Sequence, residues 1–101
     1  MAPLFWACKG NKESAEFFKR GNFHFKKNEL EKAEHFFSEA IKKNPDFADA
    51  FNNRGVVYLK VGRTDEALKD FEKAVSIDDS FVDAKLNLGR LYSETGKTTE
   101  A

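Results

Sequence analysis

Three side chains could act as metal ligands or nucleophiles: the two histidines, His24 and His35, and the one cysteine, Cys8. The histidines fall in different predicted helices with no third ligand spaced with them, which favours packed or exposed histidines over a metal site. A lone cysteine excludes an internal disulfide and a paired-cysteine metal site. The sequence also contains no glycine-rich phosphate loop and no nucleophile elbow. We therefore expect no metal, no cofactor and no enzymatic activity.

Cys8 follows a short apolar segment, residues 4–7, and precedes a polar run. This order resembles the end of a bacterial lipoprotein signal, in which a small residue precedes a lipidated cysteine. Trp6 is bulky for that pattern, the apolar stretch is short, and its start is not basic. Two interpretations stay open. Cys8 is either a lipidation site in a cell-envelope protein, or a free thiol in an apolar leader of a cytoplasmic protein.

The overall charge argues against two classes of partner. Lys and Arg number 17, as do Asp and Glu, so the formal net charge is zero and no long-range field attracts nucleic acid or an anionic membrane. Residues 17–27 alternate aromatic and basic side chains, but helix packing accounts for the aromatics. No apolar run reaches the roughly 18 residues that a membrane-spanning helix needs. We expect neither nucleic-acid binding nor a membrane span.

A tandem repeat of 34 residues organises the rest of the chain. Its clearest markers, all 34 residues apart, are Gly21, Gly55 and Gly89, and then Ala33, Ala67 and Ala101. A fixed period of this length is the sequence signature of a repeat architecture. It divides the chain into a non-repeat apolar leader (1–13), repeat 1 (14–47), repeat 2 (48–81) and a partial repeat 3 (82–101).

Apolar residues at three- and four-residue steps predict two helices in each unit. The predicted helices span residues 14–27, 29–43, 47–61, 65–77 and 81–95, and a sixth begins at Thr98. Asn28, Gly62 and Gly96 follow the first helix of each unit, where a left-handed residue often ends a helix. Because proline disfavours helical backbone in the residue before it, Asn44-Pro45 ends the second predicted helix.

Polar residues before three of the helices are predicted to cap them. They are Asp46, Thr64 and Ser80, whose side-chain oxygens could accept hydrogen bonds from free backbone amides. The repeated small residues have another predicted role. At Gly21, Gly55 and Gly89 the paired helices should come closest, since a larger side chain would push their axes apart.

The repeated residues identify a family resemblance that covers residues 14–101. In type and spacing they resemble the tetratricopeptide repeat: Phe17, Gly21, Ala33, Phe37, Ala40 and Pro45, and then Phe51, Gly55, Tyr58, Ala67, Phe71 and Ala74. Departures are His24, Asp79 and Lys85. The resemblance implies an all-α fold, a right-handed superhelix (an α–α solenoid) of antiparallel helix pairs with about two and a half repeats. It also implies a scaffold for protein–protein interaction.

The same resemblance implies a concave groove, lined by the first helix of each pair, that binds a peptide or helix of a partner. The implied groove residues are Phe18, Asn22, Phe25, Asn52, Asn53, Val56, Leu59, Lys60, Leu86, Asn87 and Arg90. Asparagine side chains can both donate to and accept from a peptide backbone. The apolar members either form pockets in the groove or pack locally, and the sequence leaves both readings open.

One subset of the family binds the acidic C-terminus of heat-shock chaperones through a five-residue clamp. Asn22 and Asn53 match that clamp, but its three basic positions are occupied by Phe18, Asp83 and Asn87. Without the basic side chains, the charge-assisted hydrogen bonds to a carboxylate are lost. We therefore expect a hydrophobic or mixed peptide as the ligand.

A structural role is the alternative function. About three repeats are usually needed for a stable array, and the third unit here has barely begun its second helix. The chain could therefore be a fragment of a longer protein, or a module that a second copy completes as a dimer or swapped oligomer. Such a self-assembling unit could belong to a bacterial lipoprotein.

Overall fold

The computed structural model describes the backbone of residues 3–96 and the side chains of residues 12–96. Five helices and no strands make up this described part: α1 (Pro3–Lys26), α2 (Leu30–Lys43), α3 (Ala48–Lys60), α4 (Thr64–Ile77) and α5 (Val82–Thr95). Short turns join successive helices, so α1–α2 and α3–α4 form antiparallel pairs. The predicted all-α repeat fold is confirmed, and the sixth helix predicted from Thr98 lies outside the described residues.

The predicted start of the first helix is wrong, because α1 begins at Pro3 and not at residue 14. Proline is tolerated in the first turn of a helix, where its missing N–H has no partner to lose. Gly10 is the glycine of the leader, and it lies within this helix. A single glycine costs about 1 kcal/mol relative to alanine, which is too little to end a helix. The leader is therefore continuous with α1, while α2–α5 lie within one residue of their predicted bounds.

Residues in the left-handed backbone conformation follow α1, α3 and α5, as predicted. Asn28, Gly62 and Gly96 have φ angles of 61°, 84° and 79°. The residue after Asn28 and the residue after Gly62 each donate a backbone hydrogen bond to a carbonyl near the end of the preceding helix. Glu29 donates to the His24 carbonyl at 2.9 Å, and Arg63 donates to the Tyr58 carbonyl at 2.8 Å. These bonds satisfy carbonyls that the end of the helix would otherwise leave free.

The predicted N-caps are wrong. The cap positions of α3, α4 and α5 are Phe47, Arg63 and Phe81, and none makes a side-chain capping bond. The polar side chains around them form the preceding turns instead. Asn44 accepts a hydrogen bond from the Asp46 backbone N–H, and Asp78 accepts from the Ser80 backbone. Short side chains of this kind bond their own backbone two residues on, which here shapes the loop between units.

The close helix approach predicted at the repeated glycines occurs at two of the three. A Cβ added to Gly21 would lie 2.5 Å from ring carbons of Phe37, and one added to Gly55 would lie 2.7 Å from the Phe71 ring. No described atom lies within 4 Å of a Cβ added to Gly89. The helix predicted to pair with α5 there begins outside the described residues, so close approach at Gly89 stays a prediction.

The core lies between successive helices along an elongated molecule of 46 × 32 × 18 Å. Phe37 of α2 and Val57 of α3 are fully buried in one cluster, and Phe71 of α4 is fully buried in the next, against Leu91 of α5. Each helix thus packs on the one before it. This arrangement places α1, α3 and α5 side by side, where the candidate groove residues lie.

Candidate functional site

Four of the predicted groove residues line one cleft between α1 and α3. Asn22 and Phe25 come from α1, Asn53 and Val56 come from α3, and the cleft has a volume of about 220 Å³. All four side chains are half-buried, so each presents part of its surface to the cleft. The cleft combines two amide groups with two apolar side chains, a mixture that can bind both the backbone and an apolar side chain of a peptide.

A chain of asparagine side chains crosses the three first helices. Asn87 of α5 donates to Asn52 of α3 at 3.0 Å, and Asn53 of α3 donates to Asn22 of α1 at 2.9 Å. A longer contact of 3.4 Å joins Asn52 to Asn53. In these bonds the Asn22 amide oxygen accepts and its NH₂ group is not used within the described residues, so a ligand carbonyl could accept from that group.

Phe18 belongs more to the core than to the cleft. Its ring lies 5.7 Å from the Phe37 ring and 4.9 Å from the Phe47 ring, centroid to centroid. Local packing, one of the two readings left open by the sequence, therefore describes Phe18. Phe25 also packs on this core but still lines the cleft, and the Lys60 ammonium lies 5.8 Å from the centre of its ring.

The remaining predicted groove residues lie along the same helices. Leu59 packs against the core cluster of Tyr58 and Phe71 and is half-buried. Leu86 of α5 is 62% exposed, and Arg90 is exposed as well. Neither Leu86 nor Arg90 lines the cleft between α1 and α3. The structure thus brings four of the α1 and α3 candidates around one cleft, bonds Asn87 of α5 to Asn52, and leaves Leu86 and Arg90 exposed, and the groove assignment stays a prediction.

The sequence reasoning missed a buried ion pair outside the groove. The Arg54 guanidinium makes two hydrogen bonds to the Asp70 carboxylate, at 2.8 and 2.9 Å, and a third at 3.1 Å to Ser38. Burial raises the pKa of Asp70, and the hydrogen bond to Asp70 raises the pKa of Arg54. These bonds join α2, α3 and α4, and so hold the register of successive helices. The repeated arginines Arg20 and Arg54 were the signal available in the sequence.

A second polar network lies next to this pair. The Tyr58 hydroxyl donates to Glu34 of α2 at 3.1 Å, and the Arg63 guanidinium lies 4.7 Å from the centre of the Tyr58 ring. Arg63 also bonds Glu66 at 2.6 Å, which holds the pKa of Glu66 below its usual range. Burial raises the pKa of Tyr58 to about 12. This surface supports the α2–α3 contact and leaves the cleft free for a ligand.

The histidines and the cysteine do not add a second site to this description. His24 Nδ1 lies 2.7 Å from Glu29 Oε1, while His35 is exposed on α2. In the part of the chain whose side chains are described, no three His, Cys, Asp or Glu side chains are grouped to hold a metal ion. The Cys8 side chain lies outside that part, so lipidation stays a prediction. None of the described helices is long and apolar enough to cross a membrane.

The sequence matches two models of one repeat family. The model described as "Tetratricopeptide repeat" matches residues 48–81, and the model described as "TPR repeat" matches residues 21–62. Comparison with curated protein sequences gives no match.

Several solved structures share the fold. The Arabidopsis OM64 TPR domain is 31% identical with a TM-score of 0.80, over 85% of this chain and 71% of that one. MamA is 30% identical with a TM-score of 0.80 over 83% of this chain, which spans about half of MamA, 49%. The second TPR of Spaghetti (RPAP3), bound to the HSP90 peptide SRMEEVD, is 27% identical with a TM-score of 0.82, over 87% and 82% of the two chains.

Proposed function

Because the chain belongs to the tetratricopeptide repeat family, we propose that it is an interaction scaffold that binds a partner's peptide along α1, α3 and α5. The family and its solved neighbours are typically interaction modules and not enzymes. Two neighbours support a peptide or protein as the partner: the second TPR of Spaghetti with its HSP90 peptide, and the TPR2B domain of yeast Sti1 in a pHsp70 complex.

The cleft between α1 and α3 is the observation that carries this proposal. Asn22 and Asn53 are joined by a hydrogen bond at its wall, so their amide groups are held in place before a ligand arrives. A preorganised amide loses little conformational entropy on binding. Phe25 and Val56 supply the apolar contact for a ligand side chain.

The charges of this surface favour a mixed or hydrophobic peptide over an acidic tail. Of the three positions where the chaperone-binding clamp is basic, one holds the exposed carboxylate Asp83. Another holds Phe18, which packs on Phe37 and Phe47, and the third holds Asn87, which donates to Asn52. A carboxylate ligand would therefore meet one negative charge and no guanidinium or ammonium at these positions.

Selection from a random peptide library, displayed on phage and panned against the whole chain, tests the proposal. We expect selected peptides to bind at least about ten-fold more weakly to Val56→Glu, which puts a charge into the cleft, and more weakly to Asn53→Ala. Val82→Glu is the matched control, because Val82 is 63% exposed and lies outside the groove residues. Circular dichroism verifies that each variant is folded. Peptides that bind all four proteins equally would show that the groove assignment is wrong.

Self-assembly is the second candidate, and it is favoured by Gly89, where no described atom lies within 4 Å of an added Cβ. A helix from a second copy could pack there as α2 packs at Gly21. Sedimentation velocity across a dilution series tests this idea, and Gly89→Phe, which fills the space, should shift any dimer toward monomer. A chain that is monomeric at every concentration would exclude self-assembly.

A further inference from the structure

One face of α1 and α2 is exposed although its counterpart in the second unit is buried. In α3, Phe51, Val57 and Tyr58 are 8%, 0% and 7% exposed. Helix α2 contributes to the burial of each, through Phe37 beside Val57, Ile41 in the cluster of Phe51 and Glu34 bonded to Tyr58, while α4 and α5 cover the rest of Phe51 and Tyr58. The residues 34 positions earlier are Phe17, Phe23 and His24. Phe23 is 56% exposed, and the other two are only half-buried.

The path of α1 explains the difference. By the 34-residue register, the helix corresponding to α2 would include the residues up to 9. From Pro3 onward these residues are instead part of α1 and run on into it without a turn. They therefore do not fold back to cover α1, as α2 covers α3. Among the described residues, no helix occupies the position over this face.

The exposed face is aromatic and centred on Phe36 of α2. The His24 ring lies nearly parallel to Phe36, at 5.3 Å and 8°, and the Phe17 ring stacks on it at 6.2 Å. The Arg20 guanidinium lies 5.9 Å from the centre of the Phe36 ring. We call these residues, together with Phe23, the Phe36 face. Two shallow depressions of about 480 and 400 Å³ lie along it.

The charges around the Phe36 face are asymmetric. Phe36 stands where the second unit has Asp70, so Arg20 lacks the carboxylate that pairs with Arg54 there. Within the described residues, Lys12, Arg20 and Lys32 are in no ion pair. The nearby carboxylates Glu13 and Glu16 are paired with Lys43 and Lys19, whereas Glu29 bonds His24, which is charged only when protonated, and Glu31 is in no ion pair among the described residues. A ligand on this face would therefore meet three unpaired cations and two carboxylates around an aromatic centre, a small positive excess.

We propose that the Phe36 face binds an acidic amphipathic helix from a partner protein, in the position that α2 takes on α3. The apolar stripe of that helix packs on Phe17 and Phe23, and one of its carboxylates bonds Arg20. The α2–α3 contact is the template, since Glu34 of α2 accepts from Tyr58 and Ser38 accepts from Arg54. The face is separate from the cleft of the proposed function, so the two sites can bind different segments.

A peptide of residues 29–44 is the probe, because α2 is the helix that covers the equivalent face of α3. A hydrocarbon staple between position 32, which is exposed in α2, and position 36, which contacts α1 and not α3, keeps the peptide helical, since helices of this length are marginal in water. It replaces Lys32 and so leaves four glutamates against two lysines. Fluorescence anisotropy measures its binding to the whole chain. We expect Phe23→Asp to weaken binding about ten-fold and Val82→Asp to leave it within about two-fold. A peptide with the substitution Glu34→Lys should bind the chain about five-fold more weakly than the unsubstituted peptide.

Three results would overturn the proposal. The first is no binding of the stapled peptide at millimolar concentration, and the second is equal binding to Phe23→Asp, which would place the peptide at another site. The third is a dimer of the chain alone that Phe23→Asp abolishes in sedimentation, because the occupant would then be a second copy. Phage-selected groove peptides should bind Phe23→Asp normally, so failure at this face and failure at the cleft are distinguishable.

Discussion

The three repeated glycines provide a matched test of close helix packing, because one substitution should have opposite effects at equivalent positions. At Gly55 an added methyl group would lie 2.7 Å from a ring carbon of Phe71, which is fully buried. Overpacking of this kind costs about 1–3 kcal/mol. Alanine recovers about 1 kcal/mol of helix propensity. We therefore expect Gly55→Ala to destabilise the chain by about 1 kcal/mol, and Gly21→Ala by more, because its contact with Phe37 is closer, at 2.5 Å.

Gly89 lies in the same repeat position, and no atom of the described residues lies within 4 Å of a Cβ added there. Gly89→Ala keeps the gain in helix propensity without the clash, so it should stabilise the chain by up to about 1 kcal/mol. Urea unfolding followed by circular dichroism gives the three free energies of unfolding. In thermal unfolding, each kcal/mol corresponds to a shift in Tm of about 4–8 °C for a domain of this size. If Gly55→Ala and Gly89→Ala changed stability in the same direction, the packing argument would be refuted.

Three further predictions concern the polar networks and the groove. Asp70→Ala leaves the Arg54 guanidinium without its buried partner and should lower the free energy of unfolding in urea by about 3–5 kcal/mol. A smaller loss than that of Glu66→Ala, which removes a more exposed ion pair, would contradict this prediction. Tyr58 has a pKa raised to about 12 in the folded chain from 10.0, so its contribution to stability is complete below pH 10 and is lost as the pH rises through 12. Absorbance titration should show the ionisation near pH 12 in the native chain, and Tyr58→Phe should remove that component and leave Tyr92, whose pKa is also raised by its hydrogen bond to Glu72. The peptide SRMEEVD should not bind measurably in isothermal titration calorimetry, and Asp83→Lys should strengthen its binding; tight binding by the unmodified chain would show that the clamp comparison misled us.

Much of the fold could be predicted because it depends on local spacing. Helices α2–α5 follow from apolar residues at helical steps, and the turns after three helices follow from Asn28, Gly62 and Gly96, which adopt positive φ angles at low cost. The capping predictions failed for a reason that is also local. Asn44 and Asp78 bond the backbone amides of Asp46 and Ser80 and so shape the turns before α3 and α5, and the chain then enters these helices with Phe47 and Phe81 at the cap positions.

The candidate site was predictable only in part. The repeat register assigned Asn22, Phe25, Asn53 and Val56 to neighbouring first helices, and the structure brings these four side chains around one cleft. The register could not show that Phe18 packs on Phe37 and Phe47. That contact brings α1 together with α2 and with the loop before α3, and the pattern of a single helix holds no information about it.

The sequence by itself determined the period, the helix pairs and the residues that end them, because these depend on side chains a few positions apart. Only the tertiary structure decided which equivalent residues differ in environment. Among the described residues, Gly55 is closely packed and Gly89 has no neighbour beside its Cα, and Val57 is buried while Phe23 is exposed. The physical reason is that burial depends on the helix lying over a residue. A repeat gives its units similar surfaces, but the presence of a neighbouring helix decides whether each surface forms core or stays free to bind.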